Sequence, residues 1–270
     1  MQRVFTALIL VVALLLVVKK TPSWAFEILF GAVICIGVLE AYELLRRKGF
    51  QPCRLLGVLA SLALVWMASS LAPSVRPEAP LVAAIILILV SPLFIRDDPR
   101  EMLACSMSTL FPVFCFAYML SYIIAIRILP GETGEDLLLL LFICVTFGDT
   151  GAFYVGTLFG KHRMAPGVSP KKSWEGAAGG LVAAVAGGLV AHLWFYRSLP
   201  LVHAVILGLL LGSMGILGDL AESMLKRATG NKDSSALLPG HGGVLDRVDS
   251  LIFSAPVLYY YYHFFLELPK

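Results

Sequence analysis

A chain of 270 residues with 59% hydrophobic and only 14% charged side chains is too apolar for an ordinary water-soluble domain, in which about a quarter of residues are charged. A net charge of +3 spread over that length excludes a nucleic-acid binder driven by electrostatics. With a mean hydropathy of +0.85 and apolar blocks close to the ~20 residues that cross a bilayer as helix, the sequence predicts an all-α polytopic integral membrane protein.

The apolar segments fall in order at roughly 4–18, 24–45, 55–71, 80–95, 106–126, 137–159, 174–195, 201–225 and 244–266, which predicts about nine transmembrane helices. No small-residue cleavage pattern precedes Lys19, so the first run reads as a retained helix. Five cysteines (Cys35, Cys53, Cys105, Cys115 and Cys144) form no C-x-x-C pair and read as small apolar fillers.

Orientation follows from Lys and Arg in the loops. Most of them share one side: Arg3, then Arg46, Arg47, Lys48 and Arg54, then Arg96 and Arg100, then Lys161, Arg163, Lys171 and Lys172, then Lys226, Arg227 and Lys232. That side is expected in the cytoplasm, with the N-terminus inside and the C-terminus outside. In a bacterial cell the corresponding location is the inner membrane.

Residues 1–130 read as scaffold helices and 131–270 as the catalytic region of one continuous membrane domain. In the first part, Glu40 and Glu43 precede a basic cluster and are expected to be its interfacial partners. Glu27 either lines an interior cavity or sits near the outer surface, and the second is expected.

From residue 137 onward the pattern changes. Asp149 lies inside an apolar run, F-G-D-T-G-A-F, where a carboxylate faces either a neighbouring helix or a water-filled cavity. The next loop contains Pro166, Gly167 and Pro170 and cannot continue as helix. Lys171 and Lys172 precede Ser173, a good N-cap for the seventh helix. Two lysines at a helix N-terminus attract phosphate, although they also serve as a topological anchor. Gly176, Gly180, Ala184 and Gly188 then form a small-residue stripe for close helix packing.

In the eighth segment Gly208, Gly212, Gly215, Asp219, Glu222 and Lys226 step by three or four residues and share a helix face. Asp219 and Glu222 are placed to bind a cation together. Asp246 and Asp249 again stand three apart at the start of the ninth segment, so Asp219 and Asp246 head two facing helices. Carboxylates gathered at membrane depth repel unless a cation or protons offset them. Magnesium accepts such oxygens and leaves positions for phosphate. Carboxylates with Lys and Arg between them are the equipment of phosphoryl or nucleotidyl transfer. His241, within G-H-G-G, has either a loop-structuring or a catalytic role.

Residues 223–249 read S-M-L-K-R-A-T-G-N-K-D-S-S-A-L-L-P-G-H-G-G-V-L-D-R-V-D. This stretch resembles the signature of the phosphatidate cytidylyltransferase, or CDP-diacylglycerol synthase, family. The likeness extends to D-T-G-A at Asp149 and S-P-K-K-S-W-E-G from Ser169, and covers about the last 130 residues. Phe153 and Ser173 stand where many relatives are expected to carry tyrosine and threonine.

The resemblance implies that CTP and phosphatidate react with magnesium present, with a second cation allowed for, giving CDP-diacylglycerol and pyrophosphate. It also implies a multi-helix homodimer embedded in the lipid bilayer. Read onto this sequence, the metal centre falls on Asp219 and Asp246. Catalysis is assigned to these two with Lys226, Arg227, Asp249 and His241. Substrate binding is assigned to Lys171, Lys172, Ser173, Lys232, Asp233, Gly242, Gly243, Arg247, Asp149 and Glu222. The rival readings are another lipid-phosphate nucleotidyltransferase and a secondary transporter with intramembrane carboxylates. A transporter is expected to show repeated half-segments, and none is visible.

Overall fold

A computed structural model describes residues 17–69, 78–231, 233–235, 237 and 242–267. Most of the first apolar segment therefore lies outside the described residues, as do Lys232 and His241. The remaining segments form helices: α1 Ser23–Arg47, α2 Arg54–Ala68, α3 Glu78–Val90, α4 Pro99–Pro112, α5 Met119–Arg127, α6 Thr133–Phe159, α7 Trp174–Trp194, α8 Leu201–Ala228, the single turn α9 Leu245–Val248, and α10 Leu251–Tyr261. Five stretches are long and apolar enough to cross a membrane: Ser23–Arg47, Pro99–Arg127, Thr133–Phe159, Trp174–Trp194 and Leu201–Ala228. Arg54–Ala68 and Ala79–Phe94 are shorter apolar helices.

Local chemistry explains the breaks. Asp98 caps α4 by accepting the Arg100 N–H at 2.9 Å, with Pro99 at the first helical position. Pro112 has no N–H to donate, and the helix widens into a π turn over Val113–Tyr118 before α5 resumes. The ninth segment is broken by the turn at Asp249–Ser250, so its acidic residues precede the last long apolar helix rather than lying within it.

The interior holds the apolar faces of α1, α5, α6 and α10, including Phe26, Ile34, Ile123, Ile124, Leu138 and Leu258. Large apolar side chains also point outward, among them Phe153, Phe159, Val182, Leu193 and Trp194, as suits a protein solvated by lipid.

In the second half, α6, α7 and α8 pack backbone to backbone. A Cβ at Gly151 would stand 2.8 Å from the Gly179 carbonyl oxygen, and one at Gly188 only 2.4 Å from that of Ala204. The small-residue stripe on α7 is therefore a packing surface, as expected.

At the end of the bundle where α6 begins, Lys19 meets Asp136 at 3.1 Å and Glu135 at 3.4 Å, while Arg127 meets Glu135 at 3.2 Å. Burial alone would lower the Lys19 pKa, but these carboxylates outweigh it and raise the value. Glu27 is buried, not at a surface. Cys53 and Cys105, far apart in sequence, bring their sulfurs to 3.1 Å, so these two are a contacting pair rather than isolated fillers.

A two-stranded hairpin departs from the all-helical pattern. Strand β1, Arg163–Ala165, runs antiparallel to β2, Ser169–Ser173, with Arg163 opposite Ser173 and Ala165 opposite Ser169. Pro166 and Gly167 occupy its turn. The hairpin is stapled to α7 by Glu175, which accepts the N–H groups of Lys161 at 3.1 Å and His162 at 3.2 Å and lies 2.5 Å from His162 Nδ1.

Candidate active site

The hairpin and the facing ends of α6, α7 and α8, with the turn after α9, enclose a cavity of about 750 Å³. Asp149 enters it from α6, Lys171 and Lys172 from β2, Asp219 from α8, and Asp246 and Asp249 from the segment before α10. Arg163 lines it from β1. The sequence reading took Arg163 only as a loop charge; its place in the cavity follows from its register opposite Ser173. Ser173, also in the wall, caps α7 by accepting the Gly176 N–H at 3.1 Å. Asp149 thus lines the cavity and also accepts a hydrogen bond from the Ser250 side chain, so both of its readings have a counterpart in the structure.

The ion pairs cross between elements. Lys172 Nζ lies 2.8 Å from Asp219 Oδ2 and donates to the Ile216 carbonyl at 3.3 Å. Lys226 Nζ lies between Asp246 Oδ1 at 2.6 Å and Glu222 Oε2 at 2.5 Å. Asp246 Oδ2 faces the other way and accepts from Ser234 N at 2.9 Å, Ser234 Oγ at 2.7 Å and Gly243 N at 2.7 Å. One oxygen of Asp246 is therefore fixed by the loop while the other carries the Lys226 contact.

Several assignments change. Asp219 and Glu222 do not face one site: Asp219 lines the cavity, whereas Glu222 is fully buried behind Lys226. Glu222 is a counter-charge rather than a substrate contact. Arg227 does not line the cavity either. Its guanidinium donates to the Val168 carbonyl at 3.2 Å and the Asn231 carbonyl at 3.3 Å, tying the hairpin to the end of α8. Asp233 and Arg247 are exposed and stand outside the cavity wall. Gly242 takes a φ of 79°, a left-handed conformation suited to glycine, and Gly243 supplies an N–H to Asp246. Both glycines shape the loop.

The first half contributes a residue that sequence reasoning misplaced. Glu43 does pair with Arg46 and Arg47, at 3.7 and 3.6 Å. Glu40 does not pair with the basic cluster. It is buried and accepts from Ser235 Oγ at 2.6 Å, Leu245 N at 2.8 Å, Val244 N at 3.0 Å and Ser234 Oγ at 3.2 Å. The sequence signal was an acid near the end of an apolar run, and the adjacent basic cluster offered a nearer partner.

Comparison with known proteins covers nearly the whole chain. Residues 1–265 match the cytidylyltransferase family. A phosphatidate cytidylyltransferase of Haemophilus influenzae is 34% identical, with 98% of this chain and 99% of that protein aligned. One from Bacillus subtilis is also 34% identical, with 96% of each covered. A third, from Synechocystis, is 30% identical over 96% of this chain and 95% of its own length. The match therefore includes the N-terminal half, beyond the last 130 residues that carry the motifs.

Proposed function

Because this chain belongs to the cytidylyltransferase family, we propose that it is a phosphatidate cytidylyltransferase, converting CTP and phosphatidate to CDP-diacylglycerol and pyrophosphate. The observation that carries the reading is one cavity in which Asp149, Asp219, Asp246 and Asp249 meet Lys171, Lys172 and Arg163. Both substrates are anionic and must be brought together, which needs cationic groups and a fixed geometry.

An oxygen of the lipid phosphate attacks the α-phosphorus of CTP. The new P–O bond forms as the bond to the β-phosphate oxygen breaks, and pyrophosphate carries the electron pair away. No side chain is required as nucleophile. Lys171, Lys172 and Arg163 hold phosphate oxygens, and Lys172 exchanges its Asp219 contact for substrate. Lys226 keeps Asp246 and Glu222 from repelling one another. Phe153 is both part of the cavity wall and exposed at the outside of the helix bundle, which supports entry of the acyl chains sideways from the membrane.

Among the described residues, no three acid, histidine or cysteine side chains converge to enclose a metal by themselves. That donor set still fits magnesium, which uses one or two carboxylates and completes its shell with phosphate oxygens and water. Asp219 and Asp246 would hold it. Bound there, it would neutralise charge on the transferring phosphoryl group. The cavity is read as facing the cytoplasm, and the enzyme as an inner-membrane homodimer.

The test is purified protein in detergent with labelled CTP, phosphatidate and magnesium. A labelled lipid product that needs all three components is expected. Its absence from folded protein overturns the reading.

A further inference from the structure

We propose that Glu40 is a positioning residue of the active site, fixing Asp246 from a helix in the other half of the chain. The inference rests on the proposed function only in calling that site catalytic. Glu40 is 7% exposed, and each of its carboxylate oxygens accepts two hydrogen bonds. All four donors belong to the loop that encloses Asp246. Oε1 takes Ser235 Oγ and Val244 N; Oε2 takes Leu245 N and Ser234 Oγ.

The link to Asp246 runs through one residue at a time. Ser234 Oγ, 3.2 Å from Glu40, is 2.7 Å from Asp246 Oδ2. Gly243, whose N–H also reaches that oxygen, lies flat on Glu40: a Cβ there would stand 2.6 and 2.7 Å from the two Glu40 oxygens. Glu40 therefore fixes Ser234, Ser235 and Gly243–Leu245, and of these Ser234 and Gly243 set which Asp246 oxygen points away from Lys226. Partners of this kind, one contact removed from a reacting ligand, change metal affinity or activity by about 10- to 100-fold when lost.

A carboxylate is needed because each oxygen faces a backbone N–H that can only donate, Val244 N on Oε1 and Leu245 N on Oε2, while the single Ser234 hydroxyl proton is shared between Glu40 and Asp246. An amide presents one oxygen and one NH2 group, and the NH2 would face one of these N–H groups. The experiment compares wild type, Glu40→Gln, Glu40→Asp and, as control, Glu43→Gln, whose carboxylate meets only Arg46 and Arg47 among its ion-pair partners. Manganese is used as a spectroscopic probe of the cation site, and amide hydrogen exchange is followed at Ser234 and Gly243–Leu245.

For Glu40→Gln the expected result is faster exchange at those amides, manganese affinity lower by about 10-fold or more, and a fall in kcat of similar size with little change in KM for CTP. Glu40→Asp recovers part of the affinity, and Glu43→Gln behaves as wild type. A folded Glu40→Gln protein with wild-type exchange and manganese affinity overturns the proposal. So does a loss that follows only a lower melting temperature, or a wild type that binds no manganese. If Glu40→Gln does not fold, Ser235→Ala removes one donor alone; unchanged manganese affinity there is equally decisive against it. A wild type that binds manganese but makes no lipid product defeats the proposed function, while the binding and exchange measurements still judge Glu40.

Discussion

Lys172, the fourth residue of a five-residue strand, and Asp219, in the C-terminal third of a long apolar helix, meet at 2.8 Å across the cavity. The pair joins two elements that are not neighbours in sequence. It also keeps a cation and a carboxylate in place where two anionic substrates are to be received.

Replacing Lys172 by glutamine removes the counter-charge of Asp219 and one phosphate-binding group. A charged hydrogen bond contributes about 1.5–3 kcal/mol, so KM for CTP or phosphatidate should rise about 10-fold or more while membrane insertion is unchanged. Wild-type kinetics in a correctly inserted mutant would return the two lysines to a purely topological role.

Asp219→Asn and Asp246→Asn are nearly isosteric and lose only charge. Each should abolish turnover with helical content preserved by circular dichroism. Higher magnesium should partly restore a single mutant and never the double. Near-normal activity of either mutant at low magnesium would shift the cation to Asp149 or Asp249, which share the cavity.

Gly188 tests the packing reading. A methyl group placed 2.4 Å from the Ala204 carbonyl forces α7 and α8 apart. Gly188→Ala should destabilise by about 1–3 kcal/mol, visible as a lower melting temperature in detergent. The cavity residues lie elsewhere, so KM should stay close to wild type in protein that remains folded.

Topology has its own test. A reporter fused after Lys270 should be active only outside the cytoplasm, and reporters in the hairpin turn only inside it. A cytoplasmic signal at the C-terminus would mean one crossing fewer or more than the loop charges imply.

Much of the site was legible because its chemistry is local. Ser173 reads as a cap from its position before an apolar run, and it caps. Asp149 stands out because an isolated acid in an apolar helix needs a reason. The hairpin was not legible: β2 is S-P-K-K-S, with neither alternation nor β-branched residues, and its strand geometry is supported by Glu175 and the α7 terminus rather than by propensity. Lys226 was assigned to catalysis because pattern cannot tell a lysine facing a substrate from one wedged between two acids. Glu40 failed for the opposite reason. A basic cluster six to eight residues away masked donors that come close only after the chain has folded back on itself.

That distance in sequence bears on how the protein is made. Glu40 and its nearest donors are separated by 194 to 205 residues. During synthesis α1 enters the membrane long before residues 234–245 leave the ribosome. Until then its carboxylate has none of its four final donors, and it must stay hydrated, take up a proton, or be shielded by another protein. Helix α1 is therefore held incomplete until nearly the last segment arrives. A chain halted before Ser234 should leave α1 inserted but loosely seated, a ready target for membrane quality control.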